Sequence, residues 1–329
     1  MRRRDFLGTL VGGASAWPLV VRAQKAPLRV GFLSAGSPGS AFSVYANDAI
    51  KQALADGGLV EARDYVFEVR YAAGDYERFP ELASELVQAG ATVILTNTIA
   101  SVRAAQRLSP PVRIVMISVN NPVGNGLVAS LARPGGNITG MATLAEDLTS
   151  KLLDLVRELL PAPKSVAALF NPLNPSNPVL VDNLRKAAGA IDMTVLPVEL
   201  KSAAMLEDAF SAISAGHPDV LVLVPDLGTT IDLGDRIAAL ALARKLPSLA
   251  IIPEYTRFGG LIAYGVSSHY LFAKSAYFLK RIFDGANPAE LPVEQPTQIE
   301  LAVNLKIAKA LGLAVPPSLL ARADTVVED

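Results

Sequence analysis

The sequence has 329 residues and no cysteine, which excludes disulfides, thiolate nucleophiles and thiolate-ligated metals together. An oxidising compartment is compatible with that lack. Its two histidines, His217 and His269, lie far apart in the chain, so a histidine-rich metal centre is not expected. His217 precedes Pro218 in a turn and His269 opens a helix; each suits a turn or cap better than a catalytic base. Neither charge dominates, with 30 Lys and Arg against 31 Asp and Glu and no long run of one sign. That balance argues against a nucleic-acid surface or a polybasic membrane patch and favours a small neutral or zwitterionic partner. The G-x-x-x-x-G-K-[ST] and G-x-S-x-G patterns are missing, and the glycines of the first loop, Gly31 to Gly39, lack dinucleotide spacing. No cofactor is expected.

Apolar residues, by contrast, are plentiful at 51%, with a mean hydropathy of +0.35. The length suits two domains of roughly 130 to 150 residues each. Residues 1 to 23 look like an address: Met1 to Arg4 is basic, Phe6 to Val21 is apolar, and Val21-Arg22-Ala23 fits small-residue cleavage. Arg3-Arg4-Asp5-Phe6-Leu7 has the twin-arginine pattern, and Gly12, Gly13 and Pro18 break the apolar run before it reaches the length of a membrane span. Removal of this segment leaves 26 basic and 30 acidic residues, a mildly acidic periplasmic chain.

After the address, strand and helix patterns alternate. Leu28 to Ser34 is an apolar strand, followed by a turn and a helix from about Ala41 to Gly57; Tyr65 to Tyr71 is a strand, Tyr76 to Gly90 has helical spacing, and Thr92 to Thr96 is a buried strand before a helix near Ala100. Arg113 to Ser118 is a further strand, and Ile138-Thr139-Gly140 is expected to cross between lobes. The pattern then restarts. Helices at 148–160, 178–190, 204–215 and 233–245 alternate with strands at 165–170, 194–197, 219–224 and 249–252, before a helix at 268–283, an extended segment at 291–304 and a final helix at 305–311. Such alternation implies parallel sheets covered on both faces, joined by right-handed crossovers. The expected fold is α/β with two doubly wound lobes: 27–140 plus about 265–290, and 141–264 plus about 291–329.

In such sheets ligands bind beyond the carboxyl ends of the strands, where helix N-termini present unpaired N–H groups. The candidate site residues are therefore Ser34, Gly36, Ser37, Tyr71, Asp75, Thr96, Asn97, Thr98, Asn120 and Asn121 in the first lobe. In the second they are Asn171, Asn174, Asp226, Glu254 and Tyr255. Hydroxyls and amides dominate this set, which suits hydrogen-bonded capture of a polar solute rather than bond breaking. Thr96-Asn97-Thr98 at a helix start can seat a carboxylate, though Ser and Thr cap helices regardless of function. Asp226 and Glu254 can face a ligand ammonium or serve as loop acids and caps. Tyr71, Tyr76 and Tyr255 offer either flat walls or core packing. Asn120 and Asn121 precede Pro122, where a turn role competes with ligand contact.

Pro122-Val123 followed by Gly126-Leu127-Val128-Ala129-Ser130-Leu131-Ala132-Arg133-Pro134-Gly135-Gly136-Asn137-Ile138-Thr139-Gly140 resembles a signature of ABC transporter substrate-binding proteins of the tryptophan/tyrosine-associated type. Leu291-Pro292-Val293-Glu294-Gln295-Pro296, Asn304-Leu305-Lys306, Ala308 to Leu313 and Ala323-Asp324 resemble it as well. The resemblance implies a type I periplasmic binding fold whose lobes close around one small-molecule solute and which docks on an inner-membrane ABC permease, with no enzymatic activity; a monomer is expected, since one ligand per closing pair of lobes requires no symmetry. A ligand sensor on the same fold is the first alternative reading, and an exported enzyme on that fold the second. Relatives commonly carry an acid before the Pro-Val pair, where this chain has Asn121.

Overall fold

The computed structural model describes residues 27–328, so the address segment and its cleavage point lie outside the described residues. Two sheets organise the chain. The first contains β1 (Leu28–Ser34), β2 (Tyr65–Tyr71), β3 (Val93–Thr96), β4 (Arg113–Asn120) and β5 (Ile138–Thr143) in the order β2-β1-β3-β4-β5, all parallel. α1 (Ala41–Asp56), α2 (Phe79–Gln88) and α3 (Ile99–Gln106) connect its strands. β3, Val-Ile-Leu-Thr, is buried at every position because helices cover both sides of it.

The second sheet repeats the plan. α4 (Ala145–Leu159), α5 (Asn177–Gly189), α6 (Leu206–Gly216) and α7 (Gly234–Ala243) alternate with β6 (Ser165–Phe170), β7 (Thr194–Glu199), β8 (Val220–Leu223), β9 (Ser248–Ala250) and β10 (Ile262–Gly265). The chain then returns to the first sheet as α8 (Ser268–Phe283), which packs on α1, β4 and β5. It crosses back to add β11 (Glu300–Asn304), α9 (Leu305–Leu311), α10 (Pro317–Leu320) and β12 (Thr325–Val327), giving the order β12-β11-β10-β9-β8-β6-β7. β10 and β11 are antiparallel, the exception in a parallel sheet.

The helices follow from their sequences. α4 places Leu148, Leu152, Leu155 and Leu159 at spacings of four, three and four, so they share one buried stripe, while Glu146 and Asp147 in the first turn and Arg157 in the last complement the helix dipole. Burial of each such leucine contributes about 1.5–3 kcal/mol. Four apolar clusters result, one on each face of each sheet.

Two expectations are corrected. Ile138-Thr139-Gly140 is not the crossing but the start of β5, and the chain leaves the first sheet only after Thr143. Gly140 permits this: at φ 125° its Cα lies so close to β4 that a Cβ would sit 2.2 Å from the Met116 carbonyl oxygen, beside a register shift between Met116 and Val119. The chain also does not end with the helix at 305–311, since α10 and β12 follow it.

Candidate functional site

The strand order places β1 between β2 and β3, and β6 between β7 and β8, so each sheet has a switch point where its connections diverge. The carboxyl ends at both switch points face one cleft. Phe32 of β1 and Asn97 after β3 line it from the first lobe, and Asn174 after β6 and Asp226 after β8 from the second. The cleft encloses a cavity of about 150 Å³. One water centre needs roughly 10–15 Å³, so this is room for on the order of ten waters, or a solute of about that many heavy atoms.

Its walls are mainly apolar. Phe42, Ile117, Leu148, Leu180, Ile251 and Phe272 contribute aromatic and branched surface from both lobes. Asn97, Thr98, Ser118, Asn120, Asn174, Ser176, Asp226 and Ser268 supply the polar groups, and among the described residues no lysine or arginine lines the cavity. The N-terminal ends of α3, α4, α5 and α8 reach it through Thr98, Ala145, Ser176 and Ser268. Partial positive charge from first-turn N–H groups therefore stands in for a cationic side chain.

The candidate residues divide clearly. At the N-terminus of α3, Thr98 closes a capping box, accepting from the Ser101 N–H at 3.0 Å while Ser101 Oγ accepts from the Thr98 N–H at 3.1 Å. Its hydroxyl is thus committed to the helix. Asn97 is different: its Oδ1 accepts a long bond from the Ala35 N–H at 3.4 Å, and its buried Nδ2 has no partner among the described residues. Asn120 lines the cavity and donates to Glu146 at 3.0 Å.

Asp226 is a hub rather than a free carboxylate. It is 2% exposed, and its oxygens accept from Thr229 Oγ1 (2.8 Å), Asn171 Nδ2 (3.1 Å), Asn174 Nδ2 (3.0 Å) and Tyr76 Oη (2.5 Å). Four donors fill the usual lone-pair positions of a carboxylate. The Tyr76 bond joins the two lobes. Burial, then the Asp226 charge, pushes the Tyr76 phenol well above its ordinary value, so it stays a neutral donor.

After Asp226 the chain makes a π-type turn, Leu227–Ile231, closed by the Ile231 N–H on the Asp226 carbonyl at 2.9 Å. That turn carries the second lobe into direct backbone contact with the first. A Cβ on Gly228 would sit 2.6 Å from both the Ala35 carbonyl oxygen and Gly74 Cα. Next in line, Asp232 accepts from the Ser37 N–H at 2.5 Å and Ser40 Oγ at 2.8 Å, again across the lobes.

The remaining candidates lie away from the cavity. Ser34 is buried and accepts from the Gly36 N–H; Gly36 and Ser37 belong to the interlobe contact; Thr96 sits in the core of its sheet, its hydroxyl on the Val115 carbonyl. Tyr71 accepts from Asn47 Nδ2 at 2.6 Å, and exposed Asp75 caps the turn at Tyr76. Asn171 is buried and serves Asp226. Glu254 caps α8, accepting from the Ser268 N–H at 2.8 Å, and Tyr255 is buried with its hydroxyl on Ser248. Asn121 is exposed at φ 40°, its carboxamide accepting from the Gly124 N–H at 3.0 Å. Asn121 therefore belongs to a turn, outside the cavity wall. Of the histidines, His217 ends α6 in the left-handed region and His269 is exposed.

Sequence reasoning missed the aromatic and aliphatic walls, because a cleft-facing Phe272 and a core-facing Phe278 on α8 carry the same signal. It also missed Asp232, whose position in a loop gives no hint of a partner nearly two hundred residues away. Gly228 and the Thr229-Thr230 pair after Asp226 are the local signs of a folded turn there.

Comparison with known proteins fits this geometry. The family profile described as ABC transporter substrate binding protein matches residues 43–327. The chain is 25% identical over 262 residues to a protein of Clostridioides difficile (strain R20291) named tyrosine-binding protein, covering 80% of this chain and 75% of that one. An ABC domain from Streptococcus pneumonia, solved in complex with L-Trp, superposes with a TM-score of 0.78 at 22% identity, over 92% of this chain and all of that one. A ligand-free, open substrate-binding protein from Clostridium difficile superposes with a TM-score of 0.60 at 21% identity, over the same shares. The fold is that of type I periplasmic binding proteins, whose two α/β lobes frame a ligand cleft, and the family is one of binding proteins, not enzymes. With nearly its whole described length matched, the chain belongs to the ABC transporter substrate-binding protein family.

Proposed function

We propose that this protein is the periplasmic, monomeric solute-capturing component of an ABC importer, exported by its twin-arginine segment and closing its lobes around one small solute. The observation that carries the reading is a single cleft walled by both sheets, apolar over most of its surface and ringed by helix N-termini. An apolar body, aromatic or branched, fills the space between Phe42, Leu148 and Phe272. A carboxylate head meets the α3 N-terminus and the unpartnered Asn97 amide. The Asp226 charge favours an ammonium on the same solute by its field, since its acceptor positions are occupied. Amino acids with aromatic or branched side chains and the corresponding carboxylates are the solutes to try, in keeping with the names of the tyrosine-binding relative and the L-Trp complex.

Hinge closure accounts for capture. Each lobe supplies half of the contacts, and the solute favours the state in which both halves meet. The higher superposition score on the L-Trp complex than on the ligand-free, open relative, at equal coverage, supports a closed arrangement here. The test is a thermal-shift screen of the purified protein. A saturable rise in melting temperature with one solute class, the solute recovered unchanged, supports capture, because a ligand at a hundred times its Kd stabilises by about 2.7 kcal/mol. Absence of any shift, or conversion of the solute, refutes it. Loss of uptake of that solute on deletion of the protein separates import from sensing.

A further inference from the structure

We propose that Asp232 is a positioning residue for solute capture: from outside the cavity it controls whether the lobes close, and it ties closure to pH. The inference rests on the hinge-closure reading above. Asp232 follows the π-type turn of the second lobe, and its carboxylate enters the first lobe between β1 and α1, accepting from the Ser37 N–H at 2.5 Å and Ser40 Oγ at 2.8 Å. It does not line the cavity, so it acts on closure and not on the solute. The lobes meet tightly beside it, through Gly228 against Ala35 and Gly74. Closure therefore removes part of the water around this carboxylate, which stays half-buried between the lobes, and opening would return the rest.

Among the described residues, no cation pairs with this carboxylate. Gly36, Ser37 and Ser40 face Asp232 from the first lobe, and none of them titrates. The charge that acts on it is the Asp226 carboxylate of its own turn, which is of like sign. Hydrogen bonds from Ser40 and from the backbone and side chain of Ser37 favour the ionised form, but desolvation outweighs them, and the carboxyl is raised from 3.8 to about 6 in the closed arrangement. An open arrangement, by exposing the carboxyl to water, would return it toward an ordinary carboxylate value. The closed state thus binds the proton more tightly, so closure strengthens as pH falls through 6 and is opposed by the ionised carboxylate above it. Between pH 7 and pH 5 the closed-to-open ratio should rise about tenfold.

The absence of cysteine makes a direct test straightforward. Spin labels on Val123→Cys and Leu173→Cys, exposed residues of the first and second lobes, report the interlobe distance in the protein without added solute. The expected result is a short-distance population that grows about tenfold relative to the long one from pH 7 to pH 5. Asp232→Asn, isosteric and uncharged, should hold the larger closed population at both values. Ser40→Ala removes a donor to the ionised form but keeps the carboxyl, and should move the pH response upward. Two populations whose ratio ignores pH, or which respond equally in Asp232→Asn, overturn the role of Asp232 alone. A single distance unmoved by pH or by any substitution overturns it together with hinge closure.

Discussion

Replacing Tyr76 by phenylalanine isolates one interlobe bond with little else disturbed. The ring packs edge-on to Phe79, with centroids 5.3 Å apart at 85°, and Phe preserves that contact. What disappears is the hydroxyl at 2.5 Å from Asp226 Oδ2, leaving that oxygen with the Asn174 amide. A hydrogen bond to a charged group contributes about 1.5–3 kcal/mol. Because donor and acceptor sit on different lobes, that amount is charged to closure and not to the stability of either lobe. The closed-to-open ratio should fall about tenfold to a hundredfold at 1.4 kcal/mol per decade, with the apparent Kd for a solute rising by the same factor where the open state predominates. The interlobe label pair at Val123 and Leu173 reads the ratio, and chemical denaturation checks that lobe stability is retained. Since the phenol stays protonated, the loss should be the same at pH 5 and pH 7, unlike the response attributed to Asp232. A closed population within twofold of the parent protein, or a loss that depends on pH, would refute the reasoning.

Other substitutions follow from the same contacts. Gly228→Ala puts a methyl 2.6 Å from two backbone atoms of the first lobe, so small-angle scattering should show a more open particle and solute-induced thermal shifts should vanish, with the lobes still folded. Asn97→Ala removes the unpartnered cavity donor: solute affinity should fall about tenfold, the worth of one hydrogen bond, while the melting temperature without solute barely moves. Phe210→Ala, deep in the second lobe and fully buried, should cost about 3–5 kcal/mol in urea unfolding without changing which solute binds.

The alternation of elements was legible because both of its signals are local. β3 is a short apolar run that parallel sheets require, and α4 carries its leucines at helical spacing between acidic and basic ends. The elements that went unread, β10, α10 and β12, are four, four and three residues long, too short for a period to emerge. The Pro-Gly-Gly approach to β5 and Gly140 look like a loop in sequence, whereas that glycine is what lets the strand press against β4.

For the site, chain order alone pointed to the strand ends, and Asn97, Thr98, Asn120, Asn174 and Asp226 do line the cavity. It could not sort them from Thr96, Tyr71 or Asn121, since a side chain two positions along a strand end or turn can point to core, solvent or cleft with the same sequence. The sequence by itself determined the two parallel lobes, the lack of thiol chemistry, and the polar character of the loops that meet, all of which depend on residue type and near-neighbour spacing. Only the tertiary structure decided which of those loops touch. The bonds from Tyr76 to Asp226 and from Ser37 and Ser40 to Asp232 span 150 to 195 positions, and no local pattern encodes a contact that forms when two separately folded lobes come together.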